Sequence, residues 1–488
     1  MGARTGEEFL KGLRSRDREV WMGSERIGDV TTHPALAGAA QALAAVFDRQ
    51  HEFPDDCLMP DPETGERINV SHMIPRSVED LKRRHRGLAR ISESTVGLMG
   101  RTPDYMNVTF AGFAGERGAW LGPDGRNEEG VANLQAFQKQ LARDDISLTH
   151  TIIHPTIDRV KDASFADNPV PLHKVADTEH GIVVRGGRIL ATLAPFADEI
   201  AVYPGHPLPP DATDAHALSF SIPMDTPGLI FLCRDSASTP GADPFDRPLS
   251  YRFDEQDAFV IFDDVEVPRD RVFIDGSKEV YSGVMLPTAW WPNIMQQTTI
   301  RALTKLEFAY GLASLMAEAV NDTTPGTLEM LGELLGYVEI TRSAVLLAEE
   351  HAYDRGEGVW FPDGRPLHPM RAQLAVWFPR VNEILISIGS HNLLATPSRA
   401  MLDDGRLRPL LEEFLHGANG IDAERRAALY RLAWDFVGSN LGSRNDLYER
   451  NYLASAKTNR IGGYMMYSDR TRAYELVDGI LAAGRTGG

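Results

Sequence analysis

The hydrophobic positions change their period twice along the chain. Residues 1–145 combine the helical period with Pro- and Gly-rich turns, and Thr5 with Glu8 three residues later is typical of a helix N-terminus. From Leu148 to Phe273 apolar and polar residues alternate as in strands, and after Pro287 the helical period returns. The order α, β, α predicts an N-terminal helical domain at residues 1–145, a β domain at 146–275 and a C-terminal helical bundle at 276–488.

Glycine and proline refine this prediction at three places. The segment Gly181 to Thr192 reads as two strands around a Gly186-Gly187 turn. Pro369 suits the first turn of a bundle helix that runs to Leu394, with a kink at Pro379. Because Pro103 restricts the residue before it, the stretch after Arg101 is predicted to be an extended or turning loop that carries Asp104 and Tyr105.

Composition and charge exclude several classes of protein. The 488 residues carry a formal net charge of −19, which disfavours general binding to nucleic acid or to anionic lipid. The two cysteines, Cys57 and Cys233, are too few for a disulfide framework or a thiolate zinc site. We find no apolar run long enough to span a membrane and no signal peptide at the start, and we therefore expect a cytoplasmic protein.

Two short segments carry the candidate chemistry. LMGRTPDYMNV at 98–108 contains Arg101, Asp104 and Tyr105, and SLTHTIIHPTIDR at 147–159 contains His150. An arginine, a phenol and an imidazole are residue types that can hold a phenolate and a reduced oxygen species. The alternative is a purely structural role. In it Arg101 forms an ion pair with Asp104, Tyr105 packs over the core, and His150 is a hydrogen-bonded residue at the boundary between the helical and β domains. We predict no metal site, because His154 lacks neighbouring ligands.

Nucleotide-binding signatures do not add a second candidate. The chain contains no Walker sequence and no G-x-G-x-x-G between a strand and a helix, and Gly112, Gly115 and Gly118 have the wrong spacing. A flavin or nicotinamide would therefore occupy another kind of pocket than the Rossmann fold provides.

Eight strings in a fixed order carry a family resemblance. They are RTGEEFLKGLRSRDREVWMGSERI, HPA, GRTPDYMN, LTH…P…DR, GIVVRGGRILAT, ADPFDRPLSYRFDEQDAFVIFDDVEVPRDRVF, TKLEFAYG and RNDLYERNY. On these the chain resembles the oxygenase component of the 4-hydroxyphenylacetate 3-monooxygenase family. The resemblance implies an α+β, acyl-CoA dehydrogenase-like fold with an N-terminal α domain, a central β barrel and a C-terminal four-helix bundle that forms a tetramer or dimer.

The resemblance also implies the reaction. A separate flavin reductase supplies FAD as FADH2 by diffusion, and the oxygenase reacts it with O2 to a C4a-hydroperoxyflavin. One oxygen atom is then inserted ortho to the hydroxyl of a phenol, which is free or tethered to a carrier protein. A pocket that excludes water is needed, because such a flavin otherwise releases hydrogen peroxide.

Site residues follow from the same resemblance. Arg101, Tyr105 and His150 match the catalytic positions. The implied substrate contacts are Arg101, Pro103, Tyr105, His150, Pro195 and Phe196. The implied flavin contacts are His150, Thr151, Ile152, Pro155, Thr156, Arg159, Thr192, Ser443 and Arg444.

Two departures from the family pattern bear on the substrate. His154-Pro155-Thr156 stands where the family commonly has Asn-Pro-Gln, and Gly389-Ser390-His391 replaces a Gly-rich turn. They favour a specialised biosynthetic phenol, tyrosine-like or halogenated. The alternatives are a halophenol monooxygenase of catabolism and an acyl-CoA dehydrogenase-like flavoenzyme. A 4-hydroxybutyryl-CoA dehydratase would need more cysteines for its iron–sulfur cluster than the chain has.

Overall fold

The structure is a computed structural model that describes residues 2–158, 165, 168–239, 241–285, 290–356, 358–466 and 469–483. The helices are α1 (Gly6–Arg14), α2 (Ala37–Glu52), α3 (Pro54–Cys57), α4 (Val78–Ser94), α5 (Pro103–Gly115), α6 (Arg117–Leu121), α7 (Glu128–Arg143), α8 (Lys278–Gly283), α9 (Trp290–Ala319), α10 (Pro325–Glu350), α11 (Gly364–Gly389), α12 (Arg399–Asp403), α13 (Leu407–Phe414), α14 (Ala423–Val437), α15 (Asn440–Asn451), α16 (Ala456–Met466) and α17 (Thr471–Ala483).

The strands lie mostly in the middle of the chain. They are β1 (Glu19–Met22), β2 (Glu25–Arg26), β3 (Leu58–Pro60), β4 (Arg67–Asn69), β5 (Leu148–Thr151), β6 (His173–Asp177), β7 (Gly181–Thr192), β8 (Glu199–Val202), β9 (Leu218–Pro223), β10 (Leu229–Cys233), β11 (Asp257–Pro268), β12 (Val272–Asp275), β13 (Tyr353–Asp354) and β14 (Trp360–Phe361).

The β region is built from two sheets. One has the order β2-β1-β10-β11-β7-β6 and the other the order β12-β9-β8-β5. Apolar side chains of both, including Val184, Phe220 and Val260, belong to one buried cluster that continues into α1, α2 and the bundle. The prediction of an all-helical start is wrong, because residues 1–145 contain β1 to β4. β3 pairs with β4, and β1 pairs in parallel with β10, Glu19 opposite Ile230, because Val20 adds to the core.

The segment predicted as a hairpin is one continuous strand. β7 runs through Gly186 and Gly187, which pair with Phe262 and Ile261 of β11. A Cβ on Gly186 would lie 2.7 Å from the carbonyl oxygen of Pro171, and Gly186 has φ +130°. The glycine pair therefore permits a close approach of the neighbouring backbone rather than a chain reversal, and the turn prediction is wrong for that reason.

The C-terminal helices pack as a bundle against the sheets. α9, α10 and α11 contact one another, and α14 and α15 pack on α11. α11 begins at Gly364, because Asp363 accepts the backbone N–H of Arg365 and caps the helix, and it ends at Gly389. Pro369 is thus inside the helix and not in its first turn, which corrects the predicted start. Within the described residues no helix is both long and apolar enough to cross a membrane.

Candidate active site

The two candidate segments meet at the junction of the helical and β regions. α5 begins at Pro103, so Asp104 and Tyr105 lie in the first turn of a helix and not on a loop as predicted. The same proline that excludes the helical conformation before it is favourable at the first helical position. His150 lies on β5, which pairs in parallel with β8 and places His150 opposite Ala201.

Three rings form a stack in the buried interior between these elements. The centroids of the Tyr105 and His150 rings are 5.5 Å apart with an interplanar angle of 21°. The His150 and Tyr203 rings are 5.4 Å apart at 25°. All three side chains are buried. The stack gives the imidazole a fixed orientation between two tyrosines.

Arg101 lies over the same stack, and no carboxylate of the described residues pairs with its side chain. Its guanidinium carbon is 3.9 Å from the centroid of the Tyr105 ring and 4.3 Å from that of Tyr452. Nη1 is buried and has no hydrogen-bond partner. Burial lowers the pKa of this group, but the surrounding tyrosine hydroxyls, Tyr105 first, raise it more, so it stays charged. The pocket therefore holds a cation with an unused N–H.

The charge of Arg101 also acts on His150. Burial, and then the Arg101 cation, hold the pKa of His150 well below its ordinary value. The imidazole is therefore neutral at physiological pH and offers one N–H donor and one acceptor nitrogen.

The Asp104 carboxyl is held by an amide and not by Arg101. Its Oδ2 accepts the amide of Gln297 at 2.9 Å, and Oδ1 has no partner. Burial raises the pKa of Asp104 to about 6, although hydrogen bonds from Thr102 and Gln297 lower it. The structural alternative in which Arg101 pairs with Asp104 is not realised.

A second arginine, Arg444, is fully engaged by carboxylates. Its Nε and Nη2 donate to Asp257 at 2.9 and 2.8 Å, and its Nη1 donates to Oε2 of Glu255 at 2.9 Å. The other oxygen of Glu255 accepts the backbone N–H of Arg101 at 2.5 Å. Glu255 thus connects the backbone of the pocket to the bundle. Ser443, one residue earlier, is exposed.

The segment after His150 runs along β7. Ile153 bridges Ile189, and the Thr149 hydroxyl donates to the carbonyl of Thr192 at 2.6 Å. The Thr192 hydroxyl donates to Asp257 at 2.8 Å. The predicted flavin contacts Thr151, Ile152, Pro155 and Thr192 therefore lie along one junction between β5 and β7, followed by the exposed Thr156. Arg159 lies outside the described residues.

A β-bulge gives this junction an apolar surface. Between Ala191 and Arg188, β7 has two residues where β11 has one, so Ile189 and Leu190 both face outward. Ile189, Leu190 and Ile153 are 41%, 45% and 44% exposed. Beside them, the Thr151 hydroxyl is fully buried and has no partner. An apolar platform next to an unused hydroxyl suits a flat ring system with polar edges.

The remaining predicted substrate contacts are all buried. Pro103 is buried at the start of α5. Pro195 and Phe196 are buried in a short 3₁₀ turn directly after Thr192. Their contact with a substrate remains a prediction.

Several pocket residues were not identified from the sequence. Tyr203 directly follows β8, Tyr448 lies on α15, and Tyr452 directly follows α15; the Tyr448 and Tyr452 ring centroids are 4.6 Å apart. The spacing of four in LYERNY was a usable signal, because residues four apart share one helix face. Glu255 gave no local signal.

No group of three or more potential metal ligands occurs in the described part of the chain. Cys57 is buried in α3 and Cys233 lies at the end of β10. Burial raises the pKa of each thiol to about 12, which disfavours the thiolates that a cluster requires. These features give the dehydratase alternative no support.

Known protein families match nearly the whole length of the chain. The family model for the N terminal part of 4-hydroxyphenylacetate 3-hydroxylase matches residues 5–274, and that for the C terminal part matches residues 284–482. A 4-hydroxyphenylacetate 3-monooxygenase oxygenase component of Thermus thermophilus is 37% identical over 453 residues, 92% of each chain.

Two further relatives bear on the ligands. A crystal structure of such an oxygenase component, complexed with FAD and 4-hydroxyphenylacetate, superimposes with a TM-score of 0.92 at 34% identity and covers 99% of both chains. A Streptomyces globisporus monooxygenase named for a (3S)-3-amino-3-(3-chloro-4-hydroxyphenyl)propanoyl peptidyl-carrier protein is 31% identical over 473 residues, 94% of this chain and 86% of its own. The chain belongs to the 4-hydroxyphenylacetate 3-hydroxylase family, with its acyl-CoA dehydrogenase-like fold.

Proposed function

We propose that this protein is the oxygenase component of a two-component monooxygenase that hydroxylates a phenol ortho to its hydroxyl group, with reduced FAD and O2. A separate reductase supplies the FADH2. The observation that carries the proposal is the Arg101 guanidinium, which is buried on Tyr105 beside a neutral His150 and has an N–H without an acceptor.

Arg101 and His150 suit the activation of a phenol. A free phenol has a pKa of about 10. A buried cation lowers the pKa of a phenol bound beside it, so the ligand loses its proton to solvent and binds as the phenolate. The neutral His150 ring donates an N–H to the same oxygen. The resulting electron density at the ortho carbon is what an electrophilic oxygen attacks.

The β5–β7 junction fits the flavin. The residues that would hold it are Thr151, through its unused hydroxyl, and Ile153, Ile189 and Leu190, through their exposed apolar side chains. Bound reduced FAD supplies the activation of O2 at this surface. The buried rings of Tyr105 and Tyr203 on either side of His150 help to exclude water from the reacting atoms.

An acyl-CoA dehydrogenase-like reaction would need a carboxylate base facing the substrate. Of the described carboxylates near the pocket, Glu255 and Asp257 are bound to Arg444, and Asp104 accepts from Gln297. Glu255 and Asp257 are thus bound to a cation, and only one oxygen of Asp104 remains without a described partner. Arg101 and His150, which suit a phenolate, favour oxygen insertion into a phenol over this reaction.

The substrate is proposed to be a specialised phenol of a biosynthetic pathway, free or bound to a carrier protein. The Streptomyces globisporus relative with a carrier-bound substrate supports this class. A catabolic halophenol is the second candidate. Turnover of free tyrosine, chlorophenols, 4-hydroxyphenylacetate and carrier-bound tyrosine, measured with a reductase, NADH and FAD, distinguishes them.

We also propose a homo-oligomer, a tetramer or dimer. α16 and α17 expose a large apolar surface, with Met465 70% and Ile480 76% exposed. Such surfaces on folded proteins are typical of protein contacts. Sedimentation velocity should give a mass of two or four chains, and Ile480→Asp should reduce that mass, whereas a monomeric wild type contradicts the proposal.

Substitution of His150 tests the reaction directly. The His150→Ala variant is expected to consume O2 with chemically reduced FAD but to return it as hydrogen peroxide, with hydroxylated product falling at least about 100-fold. Product and peroxide are quantified in the same single-turnover reaction, with wild type as the coupled reference. Failure of wild type to hydroxylate any phenol of the panel refutes the proposed function, and unchanged coupling in the variant removes His150 from it.

A further inference from the structure

Arg188 is another buried arginine with unused donors. It lies on β7 and is 0% exposed. Its Nη1 donates to the carbonyl of Ile152 at 3.2 Å, whereas Nε and Nη2 have no hydrogen-bond partner. An unpaired charge in such a place is costly unless a ligand compensates it.

The two unused nitrogens share one edge of the guanidinium. Nε–H and Nη2–H are parallel donors, and their spacing matches the two oxygens of a carboxylate or phosphate. The unpaired edge of the guanidinium is thus the one that binds oxyanions in a bidentate manner.

Two histidines, His154 and His216, lie near enough to Arg188 for its charge to lower the pKa of each. Both ring nitrogens of His154 are buried without a partner. The His154 ring packs edge-on against Phe165 at 4.9 Å, and Phe165 is 4.9 Å from the His216 ring. Burial, and then the charge of Arg188, lower the pKa of His154 to about 2, so the ring is neutral and can donate one N–H. The Asp211 carboxylate accepts the backbone N–H of Phe165 at 3.0 Å.

This cluster adjoins the proposed phenol site. Ile152, which holds Arg188, comes two residues after His150, a distance of about 7 Å along a strand. Gly205 comes two residues after Tyr203, and a Cβ on Gly205 would lie 3.0 Å from the Ile152 carbonyl. The two segments that carry the stacked rings therefore continue directly to Arg188.

We infer that Arg188 and His154 form an oxyanion subsite that binds a carboxylate or phosphate group of a ligand in the adjacent pocket. This inference rests on the proposed function. The favoured source is the acidic tail of the phenolic substrate, because the subsite continues the segments that hold the phenol. The other source of the same chemistry is the diphosphate of the flavin.

The test is binding without turnover. Calorimetric titration in the presence of oxidised FAD compares 4-hydroxyphenylacetate with 4-hydroxyphenylacetamide, which has the same shape and no charge. Wild type should bind the acid at least about 10-fold more tightly, and Arg188→Met should reduce that ratio to about 2 or less. The control is Arg185→Met on the same strand, where the arginine is half-exposed and paired with Asp263 and Asp264.

A second arm distinguishes the sources. If the flavin supplies the anion, Arg188→Met weakens FAD relative to riboflavin and leaves the acid-to-amide ratio unchanged. If the variant does not fold, wild type alone decides: equal affinities for acid and amide, together with equal affinities for FAD and riboflavin, overturn the inference. If the variant folds, the inference is also overturned when Arg188→Met changes neither the acid-to-amide nor the FAD-to-riboflavin affinity ratio. Hydroxylation of the neutral amide by wild type tests the proposed function separately, because it does not need the subsite.

Discussion

Two pairs of arginines in the interior of the described structure differ in their partners. At the bundle junction, Arg301 donates to both oxygens of Glu449 at 2.6 and 3.0 Å, and Lys305 donates to the same carboxylate at 2.9 Å. Arg444 is likewise held by Glu255 and Asp257. In the pocket, Arg101 lies on tyrosine rings and Arg188 on a backbone carbonyl, each with N–H groups that have no acceptor.

The difference separates structural charges from charges that are available to ligands. A buried arginine with a bidentate carboxylate is compensated, and removing the carboxylate leaves it unpaired. A buried arginine without one is an unfavourable arrangement that the rest of the fold must offset, as is common at functional sites. Substitutions in the first group should therefore affect stability, and substitutions in the second should affect binding and reaction.

The largest effect is expected at Glu449. Burial raises the pKa of Glu449, but Arg301 and Lys305 lower it more, to about 2. Glu449→Gln leaves both cations without a carboxylate, so the free energy of unfolding at pH 7 should fall by about 3–5 kcal/mol in denaturant titration. Because the folded pKa lies below the ordinary value, the difference should shrink as the pH falls from 4.5 toward 2.

The matched control for that experiment is Glu413→Gln on α13. Glu413 is exposed, and the same change there should alter stability by less than about 0.5 kcal/mol. Equal losses for both variants would contradict a structural role of the Glu449 network.

The opposite outcome is expected at Arg101. Arg101→Met should lower kcat/KM for hydroxylation about 100- to 1000-fold, which corresponds to about 3–4 kcal/mol of lost transition-state stabilisation. The free energy of unfolding should not fall, because no carboxylate loses its partner. Arg101→Lys keeps the charge but loses the planar stacking, so its kcat/KM should lie between those of wild type and Arg101→Met. A variant that loses stability but not rate would place Arg101 with the structural arginines.

The sequence identified only those pocket residues that lie close together along the chain. Arg101, Tyr105 and His150 lie in two short segments next to changes of period, and those changes also gave the α, β, α order. Tyr203 and Tyr452 reach the same place from the ends of β8 and α15, which no local pattern connects. The unpaired state of Arg188 depends on which carboxylates the fold brings near, and this property has no sequence signal.

Local signals failed where tertiary contacts decided the outcome. Gly186-Gly187 reads as a turn, yet both residues pair with β11 because the backbone of Pro171 needs the space. Pro103 was read as a breaker and is the first residue of α5. In each case the residue permits two conformations, and packing selects the one that the sequence pattern did not favour.

Asp104 is the reverse case of the unpaired arginines: it is a buried carboxyl that no cation of the described residues pairs with. Its pKa is raised to about 6 from 3.8 by burial, so its folded state holds the proton more tightly than the unfolded chain. The contribution of this carboxyl to the free energy of unfolding is therefore fully present below pH 3.8 and is lost as the pH rises through 6. Asp104→Asn, whose Oδ1 can still accept from Gln297, should gain about 2–3 kcal/mol relative to wild type between pH 3.5 and 7. Parallel pH profiles of the two proteins would contradict this.

The smallest effect on binding is expected at the tyrosines whose rings contact the Arg101 guanidinium in the place of a carboxylate. The Tyr452 ring lies 4.3 Å from the Arg101 guanidinium, and its hydroxyl donates to the Gly100 carbonyl at 3.3 Å. Tyr452→Leu removes a cation–π contact of about 1 kcal/mol and should weaken phenol binding about fivefold in calorimetry. Tyr452→Phe keeps the ring and should change affinity less than about twofold. If Phe weakens binding as much as Leu, the hydroxyl rather than the ring positions Arg101, and the tyrosines act through hydrogen bonds instead of compensating its charge.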